Sequence, residues 1–229
     1  MSRLIEFIHQ GENDEIQKFL KQYDKDPSSY LQCMNEFDEM HNSAIELFTM
    51  LDCRNIIEKA ISSGYNELNK IAINGLFGNY LFEHFFLSNF LIVFQKGCNL
   101  IHYAAMWNRA DLIKYLYFSG VDVYRKNVHG ETAHKLANKY EQKEAMQMLE
   151  WIECRDEFLM LIRLVREILS TSDKNDYTKE ERKIADSACL DGESWINKNK
   201  EATLSMLKTK KEQIELIVEP FIRKRSSTM

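Results

Sequence analysis

The sequence predicts an all-α protein, a repeat solenoid followed by a small antiparallel three-helix bundle. Three observations predict it. The 229 residues hold only 2 Pro and 8 Gly, too few turn-formers for a β-sandwich or barrel. Residues recur at fixed offsets across the first 150 positions, and beyond them apolar residues fall at i, i+4, i+7 and i+11. At 45% hydrophobic the chain can bury a core, which excludes wholesale disorder, and its length allows one large domain or two small ones.

The offsets are clearest in the middle. Gly97 recurs as Gly130, Ala104 as Ala137, Ile113 as Met146 and Leu116 as Leu149, each a step of 33 residues. From Gly97 the chain reads Gly-Cys-Asn-Leu-Ile-His-Tyr-Ala-Ala, then Asp111-Leu112-Ile113, then Ser119-Gly120-Val121-Asp122. This resembles the ankyrin repeat, with its Thr-Pro-Leu-His-x-Ala-Ala start, Ile-Val second helix and Gly-Ala-Asp turn. The physics agrees. Ile101, Ala104 and Ala105 give a short first helix an apolar face with small residues, which a second helix can approach closely. Leu112, Ile113 and Leu116 supply the answering face, and Gly120 can take the positive φ that ends a helix. One such unit cannot bury both faces, so neighbours must stack.

In chain order, Leu4, Ile16 and Phe19 open the first repeat, followed by a longer polar loop over residues 24–41. Ile45, Ile57, Ala60 and Gly64 mark the second, each 56 residues before its counterpart Ile101, Ile113, Leu116 or Gly120. The third opens near Ile101 and the fourth, terminal one near His134. The signature Pro is absent throughout, so about four divergent repeats fill residues 1–150. The second step exceeds 33 by 23 residues, an apolar and aromatic excess at 71–93 that is too short and interrupted to span a membrane. Three readings compete for it: an excursion that docks on a partner, a hairpin packed on the repeats, or translated non-coding sequence.

Residues 151–229 are expected to form the bundle. Phe158, Ile162, Val165 and Leu169 mark its first helix, and residues 170–176 a polar loop. Thr178 with Glu181 reads as a capping box opening a helix that carries Ile184, Ala188 and Trp195. A third helix has Leu207, Ile214 and Phe221, with Leu204, Ile217 and Val218 widening its face. Cys189, Trp195-Ile196 and Lys198-Asn199, then Glu215 and Pro220, resemble the helical lid of the seventy-kilodalton heat-shock chaperones. Glu219 replaces that lid's Asn. The sequence holds neither the nucleotide-binding domain nor the β-sandwich cleft of those chaperones, so it is not expected to run an ATP cycle. Ankyrin repeats followed by such a lid resemble the ankyrin repeat domain-containing protein forty-five family. The resemblance implies links to cilia, flagella and dividing cells.

Composition limits the chemistry. A net charge of −5 without a long basic stripe disfavours nucleic-acid binding. Five widely spaced cysteines without a CxxC pair read as free thiols in a reducing compartment, and the N-terminus lacks a secretory signal's apolar run, so a cytoplasmic protein is expected. There is no phosphate-binding Gly loop, Gly-x-Ser-x-Gly elbow or His-x-x-x-His spacing, so no catalytic residue, cofactor or metal ligand is expected. His102 is expected to tie neighbouring turns, Cys189 to be a small buried residue, and Trp151 and Trp195 to be core aromatics. The expected activity is that of a non-enzymatic adaptor, with axonemal or chaperone-related partner proteins and no membrane. The candidate partner-binding residues are Met106, Trp107, Asn108 and Arg109 at a first-helix end, and Tyr124, Arg125, Asn127 and His129 in the last inter-repeat turn. The alternative is a modulator of heat-shock chaperones acting through the bundle.

Overall fold

The computed structural model describes residues 2–40, 42–65, 97–172 and 176–226. The apolar excess at 71–93 lies outside the described residues. Among those described the ordered elements are eleven α-helices, as an all-α fold requires. They fall into two compact units, Met1–Met148 and Leu149–Met229.

The first unit contains α1 (Arg3–Gln10), α2 (Asn13–Lys21), α3 (Pro27–Met34), α4 (Ala44–Met50), α5 (Arg54–Ser62), α6 (Leu100–Met106), α7 (Ala110–Phe118), α8 (Ala133–Lys139) and the start of α9 (Lys143–Thr171). Four helical hairpins repeat within it: α1/α2, α4/α5, α6/α7 and α8/α9. Their chemistry repeats in register. Ser2, Ser43, Asn99 and Thr132 cap the first helix of each hairpin, their side chains accepting the N–H three residues on. The first helix of each then ends on a left-handed residue, Gly11, Asp52, Asn108 and Glu141, at φ of 71°, 60°, 57° and 56°. The following N–H returns to the carbonyl five residues back: Glu12 to Phe7 at 3.0 Å, Cys53 to Phe48 at 2.9 Å, and Arg109 to Ala104 and Gln142 to Ala137, both at 2.8 Å. This is the Schellman closure, which satisfies carbonyls that a helix end leaves unpaired. Glycine is its usual residue, so three non-glycine versions hide the turn from a reading of the sequence.

The core of this unit follows the same register. Ile5, Ile16, Ile45, Ile57, Ile101, Ile113 and Leu136 are all buried, and Ala104 and Ala105 are completely so. α6 packs on α4 and on α8, which stacks the later hairpins side by side. Their shared cluster joins Met50, Cys98, Tyr103, Met106 and Leu136, with Leu47 and Tyr140 against it.

The loop expected over residues 24–41 is a correction. It contains α3, started by Asp26, which accepts the Ser28 and Ser29 N–H at 3.2 and 3.3 Å, with Pro27 in the first turn, where no N–H is needed. Tyr30, Cys33 and Met34 are buried, and the Tyr30 hydroxyl donates to the Ile56 carbonyl at 3.3 Å. The polar residues around this short helix mask its one apolar face.

The second unit holds the rest of α9 with α10 (Lys179–Lys198) and α11 (Leu204–Ser226). The Thr178 and Glu181 capping box opens α10 through bonds of 3.1 and 2.7 Å. Phe158, Ile162, Val165 and Ile168 of α9 are buried, as are Leu207, Ile214, Val218 and Phe221 of α11. The expected face of α10 is corrected by one residue. Ala185, Ala188, Cys189, Gly192 and Ile196 are buried, while Ile184 is 57% exposed. Gly192 explains this choice: a Cβ there would meet Ile162 at 3.0 Å and Phe158 at 3.2 Å, so α10 lays its small residues on α9. Ile217 is likewise exposed on α11. The Trp151 indole N–H donates to the Ala202 carbonyl at 2.8 Å, which gives this buried ring its polar partner.

Candidate protein-interaction surface

Between α7 and α8 the chain makes a projecting turn over residues 121–132. Asn127 organises it. Its Oδ1 accepts the His129 and Glu131 N–H, both at 2.9 Å, and its Nδ2 donates to the Glu131 carboxylate at 3.0 Å. The backbone closes with Asn127 N–H donating to the Glu131 carbonyl at 2.9 Å. The same turn precedes α4, with Asp38 in the place of Asn127. Its Oδ1 accepts from Met40 and Asn42 N–H at 2.9 and 2.7 Å, and its Oδ2 accepts from the Asn42 amide at 2.9 Å. The two turns therefore use one geometry with the amide and the carboxylate exchanged.

The later turn is held from below by the preceding repeat. The Asn99 amide donates to the Asp122 carbonyl at 2.8 Å, and His102 Nε2 lies 3.3 Å from the Glu131 carbonyl. Burial lowers the His102 pKa, so the ring is neutral at pH 7, with Nε2–H donating to Glu131 and Nδ1 accepting the Asn99 N–H at 3.1 Å. This is a structural tie between turns. Gly97, at φ +85°, lies so close beneath that a Cβ would meet the Val128 nitrogen at 3.0 Å.

These anchors sort the candidate residues. Asn127 is 5% exposed and spends its side chain inside the turn, whereas Tyr124 is 51% exposed and His129 also faces solvent. Arg125 is half-buried. At the other end of the repeat, Met106 is buried in the inter-repeat cluster and Trp107 is 37% exposed. Asn108 bridges to the next hairpin, its Oδ1 accepting the Ala145 N–H at 2.9 Å while its amide donates to the Glu144 carboxylate. Arg109 donates twice to the Met50 carbonyl, from Nε at 3.0 Å and Nη2 at 2.7 Å, placing its charge at the C-terminus of α4. The outward subset is thus Trp107, Tyr124 and His129. Sequence reasoning missed Val128, 59% exposed at the tip beside His129; its place between the two ends of the Asn127 cap is the signal that would have found it.

Burial pushes the Cys98 thiol up to about 12, even against the Asn127 amide. It also raises Glu46, Tyr103, Cys154 and Cys189, holding each toward its neutral form, the reverse of what activates a thiolate nucleophile. Burial works against the Glu131 carboxylate, but bonds from Asn127 and Lys139 hold its pKa below the usual value. Among the described residues, no helix is long and apolar enough to cross a membrane.

Stacked hairpins with capped first helices, projecting turns and a His tying one turn to the next define an all-α, ankyrin-like solenoid. Within that class the chain is similar to ankyrin repeat domain-containing protein 45, and the resemblance carried by the sequence holds. It is 28% identical to the Danio rerio protein of that name over 131 residues, 56% of this chain and 58% of that one. It is 29% identical to the Homo sapiens protein over 166 residues, 57% of this chain and 62% of the other. The chain thus spans less than two thirds of the length of either relative. No protein-family model matches it.

Proposed function

We propose that the chain is a non-enzymatic adaptor that binds a protein partner through its ankyrin unit, with Tyr124, Val128, His129 and Trp107 as contact residues. One observation carries this reading. Both exposed sets sit on backbone already locked by side-chain caps and left-handed closures, so binding there costs little ordering entropy. Tyr and Trp are also the residues that dominate interface energies. In this reading residues 1–150 are about four repeats, and residues 151–229 are a lid-like bundle that engages a second protein or another copy. The family resemblance directs the search for the partner to cilia and flagella.

The test is a pull-down from flagellated cells with the full chain, with Tyr124→Ala combined with Val128→Ala, and with Trp107→Ala, read by mass spectrometry. Axonemal proteins captured by the parent chain and lost with either variant are the expected result. Heat-shock chaperones captured equally by all three would replace this reading with the chaperone modulator.

A further inference from the structure

The left-handed turns that close the first helices also align three side chains. The residue before each is Leu51, Trp107 and Tyr140, at the ends of α4, α6 and α8. Because α4 packs on α6 and α6 on α8, these positions form one line along the edge of the unit, a helix spacing of about 8–10 Å apart. Leu51 is 53% exposed and Trp107 37%, while half-buried Tyr140 packs on the Met106 cluster and continues the line.

Carboxylates flank this apolar line. Asp52, Asp111, Glu141 and Glu144 are all exposed there. Asp111 and Glu144 also serve the first turns of α7 and α9, but Asp52 and Glu141 lie outside the helices, at positive φ, where glycine would fit with less strain. Among the described residues, two of the nearby cations have carboxylate partners: Arg54 pairs with Glu58 beside the Tyr115 ring, and Lys139, over the Tyr140 ring, pairs with Glu131. Arg109, which donates to the neutral Met50 carbonyl and keeps its charge, and exposed Lys143 oppose the four carboxylates, so negative charge prevails at this edge.

The geometry points to a docking edge for a basic amphipathic helix of a partner protein, laid across the ends of α4, α6 and α8. Two matches argue for that occupant. An α-helix rises about 10.5 Å in seven residues, so apolar residues seven apart meet Leu51, Trp107 and Tyr140 in succession. Lys or Arg on its flanks meets the Asp52, Asp111, Glu141 and Glu144 carboxylates. This rests on the adaptor reading and gives its partner a chemistry, at an edge opposite in character to the projecting turns.

The test uses the full chain and a labelled Leu/Lys helix of about three heptads, with leucines on one face. A counterpart with Glu for Lys is the control, and binding is read by fluorescence anisotropy. Expected are binding of the Lys peptide only, weakening by salt, and a loss of about tenfold or more with Trp107→Ala. Asp52→Lys combined with Glu141→Lys should remove both binding and its salt dependence. Leu51→Ala gives a second, conservative check on the apolar line. Tyr124→Ala, and Glu153→Lys with Glu157→Lys in the second unit, should change nothing. Failure to bind the Lys peptide, equal binding of the Glu peptide, or equal loss with the second-unit variant overturns the docking edge. A cellular partner lost with Tyr124→Ala but kept with Asp52→Lys/Glu141→Lys would overturn this edge and leave the adaptor standing.

Discussion

Exchanging the amide and the carboxylate between the two projecting turns gives a quantitative test of what holds them. Asn127→Asp keeps the oxygen that accepts the His129 and Glu131 N–H, but places a second carboxylate about where Nδ2 now lies, 3.0 Å from Glu131. Asn127 is 5% exposed and the Glu131 side chain 21%, so water screens the pair only partly. Two unit charges about 4 Å apart at an effective dielectric of about 20 repel by about 4 kcal/mol. Lys139, 3.0 Å from Glu131, offsets part of this, and the charged acceptor strengthens its two N–H bonds. We expect a net loss of about 2 kcal/mol at pH 7. Adding Glu131→Gln removes the repulsion and reproduces the Asp38 and Asn42 arrangement, so the double variant should return to within about 1 kcal/mol of the parent. Glu131→Gln alone should cost about 0.5 kcal/mol, the worth of an exposed ion pair. The pH dependence has opposite signs in the two proteins. Glu131 is depressed in the parent, so its contribution is present above the unfolded carboxylate pKa and lost as pH falls through the folded value. In Asn127→Asp the repulsion raises a folded carboxyl pKa, so stability is regained as pH falls from 7 through that value toward about 4. Urea unfolding followed by circular dichroism, from pH 7 down to about pH 3, measures both. Full stability of Asn127→Asp at pH 7, or no rescue by Glu131→Gln, would refute the reasoning.

Two further outcomes follow from the stacking of the repeats. Arg109→Met should cost about 2 kcal/mol in urea unfolding, because it removes two charge-assisted bonds to the Met50 carbonyl; Arg109→Lys should recover only part of that. Glu46 is 8% exposed, accepts the Ser43 N–H at 2.7 Å, and faces Tyr103 and Asp38. Burial raises its folded pKa, so ionised Glu46 weakens the parent near pH 7, and stability returns as pH falls through that value toward the unfolded one. Glu46→Gln should therefore flatten this pH dependence in thermal unfolding. An unchanged slope would show that Glu46 does not set it.

The solenoid was legible because its signal is periodic. Ile45, Ile101 and Ala104 are buried where their offsets place them, since stacked hairpins must put equivalent residues in equivalent environments. The closure of the first helices was not legible. Asp52, Asn108 and Glu141 carry it without glycine, and only backbone torsions reveal that they are equivalent to Gly11. α3 was hidden among charged neighbours, although Asp26-Pro27 spells a helix start. Within the candidate surface, Met106 and Asn127 resemble contact residues in the sequence, yet one packs in the inter-repeat cluster and the other closes its own turn.

The sequence by itself determined the helical class, the repeat offsets, the capping boxes and the family resemblance. All four are local or periodic properties, written in residue type and spacing. Tertiary structure decided which residues of each helix face the core. Gly192 lets α10 approach α9, and that approach buries Ala185 and leaves Ile184 in solvent. It also decided that Arg109 serves the Met50 carbonyl, 59 residues earlier in the chain. No local pattern encodes such a pairing; it exists only because stacking brings the start of one helix to the end of another.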